Sequence, residues 1–291
     1  MLIYEHVKLD FPNFIEFRRE GRLKTMTTFK SFIAGEWVSG SKSGTSINPS
    51  NTDDILGEYT NASKEQVNSA ISAARQAAGD WRQTTTQARS DFLYSIANAL
   101  MARGEELAQL ISREEGKTIP EATGEVGRAT QIFKFFAGEA VRYCGEKVNS
   151  VRPGIDVEMS REPVGVIGMI TPWNFPAAVP AWKIAPALAF GNTVVFKPSE
   201  FIPASSCLLT EIIQSVGLPD GVFNMLMGDG SVGQAIVDGV DAITFTGSNQ
   251  TGSKIIQAAS TRMIQVQAEM GGKNPLVIMD DADMDTAVNC A

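Results

Sequence analysis

The stretch "GVIGMITPWNFPAAVPAWKIAPALAFGNTVVFKPSE", Gly165 to Glu200, decides the fold. "GVIGMITP" reads as a strand, a short apolar run stopped by proline. "FPAAVPAWKIAPALAFG" is apolar nearly all round but carries Lys183 and several prolines, which suits a buried helix. A membrane span would need roughly 18 or more uninterrupted apolar residues. "TVVFKPS" is a second strand. Strand, buried helix, strand is a βαβ unit, and the alternation repeats downstream. "VFNMLMG", "AITFTGS" and "IQVQAEM" read as strands, and "PASSCLLTEIIQSVG", "SVGQAIVDG" and "NQTGSKIIQAAS" as helices between them. Near-continuous Val/Ile/Phe runs mean strands covered on both faces. The fold class is α/β, a doubly wound parallel sheet.

Upstream, residues 63–143 are helical. Ser63 and Gln66 form a capping-box pattern, followed by Val67, Ala70, Ile71, Ala74 and Ala78 at helical spacing. A second helix holds Leu93, Ile96, Ala97 and Leu100. A third holds Leu107, Leu110 and Ile111 and ends near Gly116. A fourth holds Val126, Ala129, Phe133, Phe136 and Ala140. Residues 147–160 suit a β-hairpin around Pro153-Gly154. "MTTFKSFIAGEWVSG" reads as an exposed lead-in strand with a Gly-Glu turn. Residues 1–25 show no helical or strand period and read as an extension, with Met26 as the native start. At the other end, "PLVIMDD" reads as a strand, and Asp283 is an N-cap for a last helix. That helix meets Ala291 without a C-terminal cap, so the chain is expected to be cut within an element.

The 291 residues are 43% hydrophobic and 20% charged, ordinary for a globular protein. The formal net charge of −8 argues against a nucleic-acid or anionic-membrane surface. No apolar leader is visible in the first residues. Cys144, Cys207 and Cys290 are far apart and odd in number, which fits a reducing cytoplasm better than a disulfide framework. The single histidine, His6, removes Ser-His-Asp triads, Cys-His pairs and most zinc sites. No metal is expected. Acid–base chemistry falls to carboxylates, lysines or cysteine.

In a doubly wound sheet, ligands sit at the carboxyl ends of the strands. "ITPWNFP" offers Asn174, whose amide can donate to a developing oxyanion. "FKPSE" offers Lys197 for the hydroxyl oxygens of a ribose, and Glu200 to accept from them. Gly247 to Gly252 opens a helix whose free N–H groups favour a pyrophosphate. "GDGSVG", Gly228 to Gly233, reads equally as a tight connection or as a nucleotide contact. "QAEMGGKNP" places a lone acid, Glu269, before two glycines at the end of another strand.

"PWNFP", "FKPSE", "FTGS" and "EMGGKNP", in this order, resemble the NAD(P)-dependent aldehyde dehydrogenases, and the resemblance runs from Met26 to Ala291. It implies a Rossmann-like cofactor domain with an N-terminal helical region, together residues 26–270. It also implies that the 147–160 hairpin belongs to an oligomerisation region and that 271–291 begin a catalytic domain, most of which is missing. The implied reaction is oxidation of an aldehyde to a carboxylic acid through a cysteine thiolate. In it Glu269 is the general base, Asn174 half of the oxyanion hole, and Lys183, with Trp173, a lining residue and candidate proton relay. The implied cofactor is NAD, with NADP disfavoured by Glu200. Its candidate contacts are Thr171, Pro172 and Trp173 after the first strand and Lys197, Ser199 and Glu200 after the second. Gly228 and Gly233 follow the third; Phe245, Gly247, Ser248 and Thr251 the fourth; Glu269, Met270 and Gly271 the fifth. The family nucleophile lies beyond Glu269 in a Gly-Gln-x-Cys-like loop. Cys290 comes too early and is read as a packing residue. The partners implied are a small aldehyde, with the flavour of a short dicarboxylic semialdehyde, and further copies of the parent in a homo-oligomer. Alternative readings are a non-catalytic dinucleotide-binding remnant and an unproductive gene fragment.

Overall fold

The computed structural model describes residues 27–291; the reading of residues 1–25 as an extension lies outside them. The chain opens with β1 (Thr28–Phe29), β2 (Ser31–Ile33), β3 (Glu36–Val38), β4 (Ser41–Ile47) and β5 (Ile55–Asn61). The lead-in segment is not exposed. All three residues of β2 are buried, and Phe32 packs on Trp37 with ring centroids 5.2 Å apart. The sharp turn to β3 falls at Ala34 and Gly35, both at positive φ (51° and 88°). Two consecutive positive-φ residues suit a tight hairpin.

Four helices follow: α1 (Lys64–Gln83), α2 (Thr86–Ala102), α3 (Gly104–Glu115) and α4 (Ile119–Val141). The Ser63/Gln66 capping box forms at the start of α1, and Val67, Ala70, Ile71 and Ala74 are buried while Ala78 is half-buried. Gly116, at φ 94°, ends α3 in the left-handed region, where glycine carries no Cβ penalty. A second capping box, Thr118 with Glu121, starts α4. The hairpin of β6 (Glu146–Asn149) and β7 (Asp156–Met159) is exposed along its whole length and pairs only with itself among the described residues.

The remaining elements alternate: β8 (Val166–Ile170), α5 (Ala178–Ala189), β9 (Thr193–Lys197), α6 (Pro203–Gln214), β10 (Phe223–Met225), α7 (Gly230–Val237), β11 (Ala242–Gly247), α8 (Asn249–Thr261) and β12 (Gln265–Met270). They build one seven-stranded sheet in the order β12-β11-β8-β9-β10-β2-β3, parallel from β12 to β10, with β2 antiparallel at its junction to β10. The continuous apolar run of β9 is explained by two cores. Val194 and Phe196 face one, with α2 to α6; Val195 faces the other, with α1, α7 and α8. The chain runs outward from β8 through β9 to β10, then returns to the far side of β8 for β11. That reversal is a topological switch point, and the crevice outside the carboxyl ends of β8 and β11 is where such sheets bind ligands.

Past β12, residues 275–281 are not a strand. Leu276, Val277, Ile278 and Met279 are exposed, and no neighbouring strand takes up their backbone groups among the described residues. An apolar run supplies β propensity, but a strand also needs a partner for its N–H and C=O groups. Asp283 does cap α9 (Met284–Cys290), its carboxylate accepting the Thr286 N–H at 2.8 Å. Cys290 is exposed, which corrects its reading as a packing residue. Among the described residues no helix is long and apolar enough to cross a membrane.

Candidate active site

At the switch point, β8 is followed by Thr171, a buried residue whose Oγ1 has no hydrogen-bond partner. β9 ends beside it in Lys197, only 4% exposed. Its Nζ donates to the Pro198 carbonyl at 2.8 Å and stands 3.7 Å from Glu200 Oε2. Burial pulls the Lys197 ammonium below the ordinary lysine range, and the Glu200 and Asp229 carboxylates oppose that. Ser199 is buried, its hydroxyl accepting the Phe201 N–H. Lys197 and Glu200 therefore form a preset pair of donor and acceptor at the sheet's edge.

Two residues near this pair escaped the sequence reading. Asp229 caps α7, its carboxylate accepting from the Ser231 N–H and hydroxyl, which hold it below the usual carboxylate range. Asn61, at the end of β5, donates to Asp229 at 3.3 Å, while its Oδ1 is buried without a partner. The D-x-S spacing of Asp229 and Ser231 is a cap signal; nothing local marks Asn61. Between them Gly228 sits at φ 148°, and a Cβ there would fall 2.4 Å from Val232. That turn admits glycine alone.

On the other side of the crevice, Ser248 caps α8, its Oγ accepting the Thr251 N–H at 3.2 Å. Gly247 precedes it, so the first turn of a 13-residue helix opens onto the switch point. Phe245 is 2% exposed, and its ring packs directly beneath the glycine turn: a Cβ on Gly247 or Gly252 would meet it at 2.6 Å or 3.1 Å, so it backs the crevice from the core side. Met270 also turns toward α8, since a Cβ on Gly252 would meet its sulfur at 2.4 Å. Gly271 follows in exposed chain.

Pro172, Trp173 and Asn174 form the loop from β8 to α5; Trp173 and Asn174 are exposed. Lys117 donates to the Asn174 carbonyl at 2.9 Å and lies 4.3 Å from the Phe175 ring centroid. On the opposite face of β11 and β12, the register pairs Thr244 with Gln267 and Thr246 with Glu269. These four residues, with Lys183, Trp182, Val179 and Pro186, line an open cleft of about 590 Å³. Lys183, on α5, donates to Thr244 Oγ1 at 2.8 Å and to Gln267 Oε1 at 3.3 Å. Gln267 Nε2 in turn donates to Glu269 Oε1 at 3.0 Å. A polar chain thus joins the ammonium to the carboxylate. Burial pushes Lys183 down to about 8, with Glu269 opposing.

The cysteines lie away from the cleft. Cys207 is buried in α6, and burial pushes its thiol far up; Cys144 and Cys290 are exposed beyond α4 and in α9. Among the described residues no cluster of His, Cys, Asp and Glu could hold a metal. The donor set at the crevice does fit a dinucleotide. A partnerless buried hydroxyl on Thr171, a buried ammonium with spare donors on Lys197, a carboxylate on Glu200 and the open helix start at α8 match ribose hydroxyls and a pyrophosphate.

Fold and crevice together define an α/β protein with a doubly wound parallel sheet and an open crevice at its switch point. The sequence model of the aldehyde dehydrogenase family matches residues 37–291, and the chain belongs to that family. It is 45% identical over 266 residues to an alpha-ketoglutaric semialdehyde dehydrogenase of Bacillus subtilis, covering 89% of this chain and 54% of that protein. It is 38% identical over 269 residues to a malonate-semialdehyde dehydrogenase of Lacticaseibacillus casei, covering 91% and 54%. The crystal structure of a Staphylococcus aureus betaine aldehyde dehydrogenase in complex with NAD+ superposes with TM-score 0.87 at 37% identity, over 91% of this chain and 54% of that one. An E. coli NADP dependent enzyme superposes with TM-score 0.87 at 34% identity, over 90% and 55%. The chain spans about half the length of the curated relatives it matches.

Proposed function

We propose that the chain carries the cofactor-binding machinery and the general base of an enzyme that oxidises an aldehyde, of the short dicarboxylic semialdehyde class, to a carboxylic acid. The single observation that carries this reading is the Lys197–Glu200 pair beside the partnerless Thr171 hydroxyl at the switch point. The names of the relatives support the substrate class.

The cofactor, when bound, supplies a hydride acceptor. Lys197 donates to ribose hydroxyl oxygens and Glu200 accepts from them. The start of α8 at Ser248 would hold the pyrophosphate, and the Gly228 to Gly233 turn would give the nucleotide close backbone contact. Asn174 donates its amide to an oxyanion, and Glu269 removes a proton from water. Lys183 communicates with that carboxylate through Gln267. Glu200 also sets the preference for NAD+ over NADP+, because a 2′-phosphate would meet its negative charge. The setting is a reducing cytoplasm, in keeping with three free thiols, and the parent is a homo-oligomer.

Covalent aldehyde oxidation needs an activated thiolate, and none of the three cysteines lies at the cleft. The 291-residue chain on its own therefore binds cofactor without turning over aldehyde. Calorimetric titration with each dinucleotide tests the reading. NAD+ should bind more tightly than NADP+, and Glu200→Gln should narrow the ratio about tenfold, the effect of one charge contact of roughly 1.4 kcal/mol. Tighter NADP+ binding, or sustained reduction of NAD+ with succinate semialdehyde, would overturn it.

A further inference from the structure

Lys183 has the surroundings of a nucleophilic amine. Its side chain is 7% exposed and forms part of the cleft wall beside the apolar surfaces of Trp182, Val179 and Pro186. Its two hydrogen-bond partners, Thr244 Oγ1 and Gln267 Oε1, are both neutral oxygens. Thr244 donates its own hydroxyl hydrogen bond to Gln267 Oε1, so its oxygen lone pairs are free to accept from the lysine. A neutral amine has two hydrogens for these two acceptors, and its lone pair is then left for the cleft.

The electrostatics agree with that geometry. The only titratable groups lining the cleft, among the described residues, are Lys183 and Glu269. Burial outweighs the carboxylate and lowers the ammonium to about 8. At pH 7.5 such a group holds roughly two hundred times more free amine than an ordinary lysine. Desolvated lysines of this kind form Schiff bases with carbonyl compounds.

We propose that Lys183 captures small aldehydes in this cleft as a reversible imine. Nζ adds to the carbonyl carbon and the carbonyl oxygen is protonated, giving a carbinolamine. The C–O bond then breaks. The oxygen leaves as water with the two hydrogens the amine contributed, and a C=N bond remains. No oxidant or reductant takes part. Glu269, tied to the same network through Gln267, is the carboxyl group placed to carry the proton to the departing oxygen. This capture does not depend on the dinucleotide reading: cofactor titration and aldehyde labelling can each fail while the other succeeds.

The test is to treat the folded 291-residue chain briefly with propanal and cyanoborohydride, which freezes any imine as a propyl amine, and to map the peptides by mass. Lys183 should be modified at least tenfold faster than the exposed Lys64, Lys254 and Lys273. Its rate should rise with pH to a midpoint near 8. The preference should vanish in the urea-unfolded chain, and Lys183→Arg should remove that one adduct while leaving the others. Modification spread over exposed lysines, with Lys183 no faster than they are in the folded parent, overturns the proposal whatever the variant does.

Discussion

Lys117 Nζ lies 2.6 Å from Glu125 Oε2, and the other oxygen of that buried carboxylate accepts the N–H groups of Ala177 at 2.7 Å and Ala178 at 3.1 Å. One ion pair from the α3–α4 region thus holds the middle and the α5 end of the loop carrying Trp173 and Asn174: Lys117 grips the carbonyl of Asn174, and Glu125 caps α5. Glu114 does the same for α6, accepting from the Ala204 and Ser205 N–H groups at 2.8 Å each. The helical layer is joined to the seven-stranded sheet's connecting helices by two buried carboxylates at helix starts, where the dipole favours them.

Replacing Glu125 by Ala leaves two buried helix N–H groups and a half-buried ammonium short of an acceptor. Loss of one partner of a buried pair costs about 3 kcal/mol. Urea unfolding should show that loss, and hydrogen exchange should show opening at 174–179 before the rest of the sheet. A loss under about 1 kcal/mol would mean that Glu115, 3.1 Å from the same lysine, compensates.

Thiol reactivity should divide two to one. Cys144 and Cys290 are exposed and should react with a disulfide reagent in the folded chain; Cys207, whose thiol is buried and pushed up, should react only on unfolding. Three fast thiols would contradict the packing of α6 against β1 and β5.

Lys183 should leave a mark on the alkaline limb of stability. Its folded value near 8 lies below the ordinary 10.5. Between those values the unfolded chain binds more protons than the folded one, so stability rises with pH there, by at most about 1.4 kcal/mol per unit. Below pH 8 both states carry the charge and the contribution is flat. The stability of the parent minus that of Lys183→Met should therefore grow across pH 8 to 10.5. A constant difference would contradict the depressed value.

The strands of the sheet were legible because burial on both faces leaves an unmistakable apolar run, as in Thr193–Lys197. The residues at their carboxyl ends followed from topology. What stayed hidden depends on contacts far apart in sequence. Thr244 and Gln267 look like ordinary polar strand residues until the sheet brings them to Lys183, 61 and 84 positions away. Asn61 meets Asp229 across 168 positions. β2 reads as exposed because a three-residue strand has no period; its burial comes from pairing with β10 and from Phe32 and Ile33 packing into the two cores. The error at 275–281 has the opposite cause, since a strand-like composition found no strand to pair with.

The central claim, that the crevice between β8 and β11 binds a dinucleotide, is tested most directly by hydrogen exchange of the 291-residue chain with and without NAD+. Slowing should concentrate at 171–173, 197–200, 228–233 and 247–252, while the β6–β7 hairpin is unchanged. An exchange pattern unaltered by saturating NAD+, or altered only away from those four segments, would contradict it.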